Sequence, residues 1–225
     1  MTNSAPLIFE DVEMPGLTAG YLKLEVLAHG ATAVIGNEAS GVDSLGAFAL
    51  GLLAPTHGRA VVYGEVVSDM ARSRALAFRR KVGYLPAGDG LLQNLSLADN
   101  IALPLRFGSD SSEKDILSRV GLVLSMFGLV GAAGLRPSRA SDEERRRTAL
   151  ARALAFDPPL VILEELFDGL TPRAAAELLE LARGGESAEG SRRTLLITGQ
   201  YIPERLRPRI EHRYRIARGQ LQRDE

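Results

Sequence analysis

Two glycines at a fixed interval, where an apolar run gives way to a helix-forming stretch, hold the chemistry this chain could do. Val34-Ile35-Gly36-Asn37-Glu38-Ala39-Ser40-Gly41-Val42-Asp43-Ser44-Leu45 has the layout of a phosphate-binding loop, G-x-x-x-x-G-K-[ST]. Such a loop holds anions because backbone N–H groups and the positive end of a helix converge on phosphate, while a lysine meets the terminal phosphates and a hydroxyl meets Mg²⁺. Gly36 and Gly41 are in register, but Val42 and Asp43 stand where the lysine and hydroxyl belong. Two like unit charges about 4 Å apart repel by roughly 4 kcal/mol at an effective dielectric near 20, so Asp43, with Glu38 close by, opposes a triphosphate. An acid just inside the first helical turn favours the helix itself. The loop reads as adapted to being empty.

The elements that must position this loop are those of an α/β protein. Short apolar runs read as buried strands at Pro6–Phe9, Ala31–Ile35, Arg59–Tyr63, Lys81–Leu85, Leu160–Leu163 and Thr194–Thr198. Helical patterns run from about Val42 to Leu53, Ser112 to Phe127, Ser141 to Ala155 and Pro172 to Ala182, with connections at Gly108-Ser109-Asp110 and Gly184-Gly185-Glu186. This alternation predicts a mainly parallel sheet with helices on its faces and a site at the carboxyl ends of the strands. The stretch from about residue 88 to 155 is helix-rich and reads as a helical subdomain inserted in one domain spanning 1–225.

Composition narrows the partners. The 225 residues are 45% hydrophobic, enough for a sizeable core, and 27 Lys plus Arg balance 28 Asp plus Glu. No global field draws the chain to nucleic acid, and the run Arg145-Arg146-Arg147 follows three acids, so it reads as a solvated, internally paired face. With no cysteine there is no disulfide framework or thiolate metal site. No signal peptide and no apolar run of about 18 residues is present, which places the expected location in the cytoplasm. His29, His57 and His212 show no ligand spacing, so no metal site is expected.

Several segments in one order resemble the nucleotide-binding domain of ATP-binding cassette (ABC) transporters, over nearly the whole chain. They are the phosphate-loop frame; Pro55 to Gly64; Lys81 to Pro86 followed by Leu91 to Ile101, similar to the family's Q-loop region and the helix start after it; and Arg147 to Pro159, similar to the helix after the family's signature sequence and the lead into its Walker B strand. Ser73 to Arg80, Asn100 to Leu105 and Gly128 to Pro137 look most like the ATPases of MCE-type lipid transport systems. The resemblance implies a P-loop NTPase-like core with a mainly parallel sheet, an N-terminal antiparallel β portion and the helical insertion.

The departures from the family pattern fall at its chemistry. Ala87 takes the Q-loop glutamine position, and Ala140-Ser141-Asp142-Glu143-Glu144 replaces Leu-Ser-Gly-Gly-Gln. Glu164 takes the metal-binding aspartate position, Glu165 keeps the general-base position, Thr171 replaces the D-loop aspartate and Gly199 replaces the switch histidine. No aromatic is well placed near Met14-Pro15 to stack on adenine. Ser141 with Glu144 reads as a capping box. Glu164 and Glu165 read first as structural acids that cap a helix or pair with Arg145, Arg146 or another base, with a metal site at Asp43 and Glu164 as the lesser alternative.

The resemblance then implies a degenerate nucleotide-binding domain acting as a structural or regulatory subunit. It would sit on the inner face of a membrane through a transmembrane permease, contacted by Leu91 to Leu105, and would form a homodimer or a heterodimer with another ABC subunit. No resident cofactor is expected; ATP with Mg²⁺ would bind weakly if at all. The alternatives are a residual Mg²⁺-dependent ATPase using Glu165 as base, with metal at Asp43, Ser44 and Glu164, and a soluble regulator with no permease.

Overall fold

The computed structural model describes residues 5–18, 20–185 and 192–224, the side chain of residue 72 apart. The chain opens with β1 (Leu7–Val12) and β2 (Leu22–Val26), then β3 (Ala31–Ile35) and α1 (Ser44–Ala49), β4 (Arg59–Val62), β5 (Glu65–Val66), α2 (Arg72–Arg79) and β6 (Val82–Leu85). Three helices follow, α3 (Leu97–Gly108), α4 (Glu113–Met126) and α5 (Asp142–Ala153), before β7 (Leu160–Glu164), α6 (Pro172–Arg183), β8 (Thr194–Gly199), β9 (His212–Ala217) and β10 (Gln220–Arg223).

A six-stranded sheet has the order β10-β9-β3-β8-β7-β6, parallel except for β10, and a four-stranded antiparallel sheet has the order β2-β1-β4-β5. Because side chains alternate along a strand, the buried central strands feed two cores. Ala33, Ile35, Val161, Leu163, Leu195 and Ile197 pack against α3, α4, α5 and α6. Val34, Ile162 and Leu196 point the other way, onto α1 and the antiparallel sheet with Leu7, Phe9 and Leu24. Strands buried on both faces read as continuous apolar runs, which is why β3, β7 and β8 were legible in the sequence.

The expected α/β architecture, a mainly parallel sheet beside an N-terminal antiparallel one, is the observed one, with local corrections. The first helix begins at Ser44 rather than Val42 and ends at Ala49, because the chain turns left-handed at Gly51 (φ 60°). The strands β9 and β10 and the helix α2 carry too few apolar residues to announce themselves, β9 being His-Arg-Tyr-Arg-Ile-Ala; β2, Leu-Lys-Leu-Glu-Val, carries the alternation of a half-buried strand and is a strand the sequence reading missed. Only the start of α3 was anticipated; it runs on through Pro104, a residue that usually ends a helix signal. The connection at Gly184-Gly185-Glu186 lies within the described residues only as far as Gly185.

Candidate functional site

The parallel register of β3, β8 and β7 sets the candidate residues side by side. Ile35 pairs with Gly199 and Glu164 with Thr198. Beyond the strand ends, the Gly36 N–H donates to the Gly199 carbonyl at 3.0 Å and the Glu165 N–H to the Thr198 carbonyl at 2.8 Å. β6 runs beside β7, which brings Ala87 against Glu164.

The glycine-framed loop closes on itself. Residues 38–40 form a short 3₁₀ turn, and Gly41 has φ 78°, where a side chain would also press on Pro15. The Ser40 hydroxyl donates to the Asn37 carbonyl at 2.5 Å and accepts from the Val42 N–H at 3.4 Å. The N–H groups of Ser40, Ser44 and Leu45 go to the carbonyls of Asn37, Gly41 and Val42 at 2.9, 3.0 and 3.3 Å. Val42 is 5% exposed and folds over Gly36, while Asn37, Glu38, Ala39 and Asp43 face solvent. Met14 is buried and Tyr21 stacks on His57 at 4.3 Å.

Glu164 is 6% exposed and wedged between three elements. Its Oε2 accepts the Ala87 N–H at 3.2 Å, whereas Oε1 has no hydrogen-bond partner and lies where Gly46 of α1 lacks a side chain. Burial raises its pKa; the Ala87 N–H and the neighbouring Tyr84 phenol oppose that, and Asp43 reinforces it. Burial and the Glu164 charge likewise push the Tyr84 phenol up. Glu165 adopts φ 49°, and its carboxyl, also raised by burial, lies against Gly199, where a Cβ would be 3.0 Å from Oε2.

Among the described residues, neither acid forms an ion pair with a base. Arg146, 7% exposed, donates Nη1 to the Pro86 carbonyl at 3.2 Å and Nη2 to the main-chain carbonyls of Glu164, at 2.7 Å, and Glu165. The reading of Arg145 to Arg147 as a solvated, internally paired face holds for the pairing of Arg145 and Arg147 and is corrected at Arg146. Arg145 pairs with Asp142 and Asp89, Arg147 with Glu143 and Glu177, and Arg146 turns inward. The signal for this was present: Arg146 shares the α5 face of Ala149, Leu150 and Ala153 at helical spacing. Gly46 was the other functional neighbour that sequence reasoning missed.

The capping box is present as read. The Ser141 N–H donates to Glu144 Oε2 at 2.8 Å and the Glu144 N–H returns to Ser141 Oγ at 3.2 Å. Glu144 thereby has its pKa lowered, first by the Ser141 backbone and then by its hydroxyl. Ala140 is buried, Asp142 lies exposed beside the box and Glu143 is half-buried. Thr171 caps α6 by accepting the Ala174 N–H at 3.2 Å. Ala87, Asp142, Glu165 and Asp168 line a polar cavity of about 280 Å³ with Arg145 and Arg146. Among the described residues, no three His, Cys, Asp or Glu side chains are grouped to hold a metal.

A second, mostly apolar groove of about 550 Å³ lies between the sheet and the helices, lined by Leu76, Tyr84, Leu103, Pro104, Phe107 and Phe156. Phe107 is 85% exposed at its edge. Among the described residues no helix is long and apolar enough to cross a membrane.

Comparison with known proteins fits this geometry. The family model described as "ABC transporter" matches residues 21–168. The intermembrane phospholipid transport system ATP-binding protein MlaF of Escherichia coli K12 is 34% identical over 173 residues, 77% of this chain and 64% of MlaF. The methionine import ATP-binding protein MetN 1 of Pseudomonas savastanoi pv. phaseolicola is 33% identical over 148 residues, 66% of this chain and 44% of MetN 1. The matches thus span less than two thirds of either relative. In fold, the chain overlays the dimeric cassette MJ0796 bound to ADP and Pi with a TM-score of 0.82 at 19% identity, over 96% of this chain and 98% of the other. CbiO1 of Clostridium perfringens, part of the ABC transporter complex cbiONQ, gives 0.77 over 97% and 87%, also at 19% identity. With the sequence family and the cassette fold in agreement, the chain belongs to the ATP-binding domains of ABC transporters.

Proposed function

We propose that this chain is a non-hydrolysing cassette subunit of a membrane transport complex, and that lipid is the cargo. The observation that carries the reading is the glycine-framed loop. The N–H groups of Ser40, Val42, Ser44 and Leu45 donate within the loop, and Val42 and Asp43 supply an apolar group and an acid. A triphosphate would have to displace those bonds and bring its charge to Asp43, with no lysine to offset either cost. The residues present do not fit Mg²⁺ and ATP. Glu165 supports the same reading, since its carboxyl is drawn against Gly199.

Docking rests on the groove between α2 and α3. Its apolar lining and exposed Phe107 suit an amphipathic helix of a permease. The likeness to MlaF, named for phospholipid transport, supports lipid as the cargo. A second cassette subunit is the partner on the loop face, by analogy with the dimeric MJ0796.

Calorimetry with Mg²⁺ and ATP tests the reading, using the Val42→Lys, Asp43→Ser double variant beside the native chain. No binding is expected for the native chain up to about 1 mM nucleotide, and measurable binding after the reversion. Turnover by the native chain above about 0.1 per second that Glu165→Gln abolishes would replace this reading with the residual ATPase.

A further inference from the structure

The five residues that carry the chain from β6 towards the α3–α5 layer, Pro86-Ala87-Gly88-Asp89-Gly90, combine a flexible composition with dense restraint. Gly88, Asp89 and Gly90 all have positive φ, at 70°, 61° and 60°. Such a run has the backbone freedom of a hinge. Yet four of the five residues are held by side chains from other elements. Ala87 N–H goes to Glu164, and the Pro86 carbonyl takes Arg146 Nη1. The Asp89 carboxylate takes Arg145 Nε at 3.3 Å, and the carbonyls of Asp89 and Gly90 take Arg152 Nη2 and Nη1 at 2.9 and 2.7 Å. Asp89 also accepts the Leu91 N–H at 2.9 Å, closing the turn from within.

Three of those four side chains stand on α5, and the fourth ends β7. Arg146 does more than hold the connector. Its Nη2 grips the carbonyls of Glu164 and Glu165, so one buried guanidinium joins the connector, the end of β7 and α5. Glu164 extends the same bracket to α1 through the space left by Gly46. All the groups that make these bonds belong to the chain itself.

We propose that Arg146, with Arg145, Arg152 and Glu164, is a permanent clamp that fixes the α3–α5 layer to the sheet in one arrangement, independent of any nucleotide. The groove described above has one wall on each side of this joint, Leu76 and Tyr84 on the sheet side and Leu103 and Phe107 on the helical side. The clamp therefore sets the width of that groove. This step rests on the proposed docking only for the use of the groove; the clamp stands on the bonds alone.

Because the chain has no cysteine, one label on each side of the joint can be introduced cleanly. Glu25→Cys on β2 and Ser118→Cys on α4, both at exposed positions, report the distance in the full-length chain by pulsed electron paramagnetic resonance, with and without Mg²⁺ and ATP. One distance is expected, the same in both conditions. In parallel, hydrogen exchange of the amides of residues 87 to 91 is expected to rise about tenfold or more in Arg146→Met, and a second distance to appear. Should that variant not fold, Arg145→Gln, at a partly exposed side chain, is expected to raise exchange at Asp89 and Leu91 by about threefold. A native chain with two distances, a distance that nucleotide shifts, or unchanged exchange in the variants would overturn the clamp. Nucleotide binding with an unchanged distance would instead overturn the proposed function and leave the clamp in place.

Discussion

Gly46 and Glu164 are shaped for each other. A Cβ at position 46 would overlap Glu164 Oε1 and lie 3.0 Å from Tyr84 Cε2. A glutamate is one methylene longer than the aspartate the family resemblance leads one to expect at this strand end, and the missing side chain on α1 supplies its room. Close-packed interiors make such pairs interdependent.

Gly46→Ala is therefore expected to destabilise the chain by about 1–2 kcal/mol despite the better helix propensity of alanine, because Glu164 is held by the Ala87 N–H and has little room to retreat. The Gly46→Ala, Glu164→Asp double variant is expected to recover part of that loss. Urea denaturation of the four members of the cycle measures it; additive single effects would show that the two positions are independent.

Glu164 should also make stability depend on pH. Its folded pKa lies above the ordinary 4.5, so the folded state binds the proton more tightly than the unfolded one. The resulting stabilisation is complete below about pH 4.5 and is lost as pH rises through the raised value. Relative to Glu164→Gln, the native chain is expected to lose stability across that window. Denaturant midpoints collected from pH 4.5 to 8 test the slope, and a flat difference would contradict it.

The capping box offers a separate measurement. Ser141→Ala is expected to cost about 1 kcal/mol by leaving the Glu144 N–H without its side-chain acceptor. Glu144 carries the opposite sign to Glu164: its pKa is lowered, so its contribution is present above about pH 4.5 and is lost as pH falls through the lowered value. Thermal melts of Ser141→Ala and Glu144→Ala, singly and together, should show less than additive losses.

Phe107 separates docking from folding. At 85% exposure, Phe107→Ser should change stability by no more than about 0.5 kcal/mol while reducing co-purification with the proposed permease. Pull-down yield from detergent-solubilised membranes, beside a urea melt, reads both; retained co-purification would remove the groove from the docking surface.

The amino-acid sequence by itself determined the fold class and the positions of the candidate site along the chain. Strands buried on both faces, such as Leu160–Glu164, leave continuous apolar runs, and the Ser141–Glu144 cap leaves a local signature at fixed spacing. Strands such as His212–Ala217 were hidden because their side chains are only partly buried, so no apolar pattern is needed. What only the tertiary structure decided was partnership. Arg146 looked like one member of a charged run, and its inward turn depends on carbonyls 18 and 19 residues further along the chain. Gly46 carries no local signal of its role, which comes from the carboxyl of Glu164 filling the place of its missing side chain. Local spacing can specify a turn or a cap, because donor and acceptor lie within a few residues. A buried contact across the sheet is specified only once β6, β7, α1 and α5 have packed, since it is the packing that sets which groups meet.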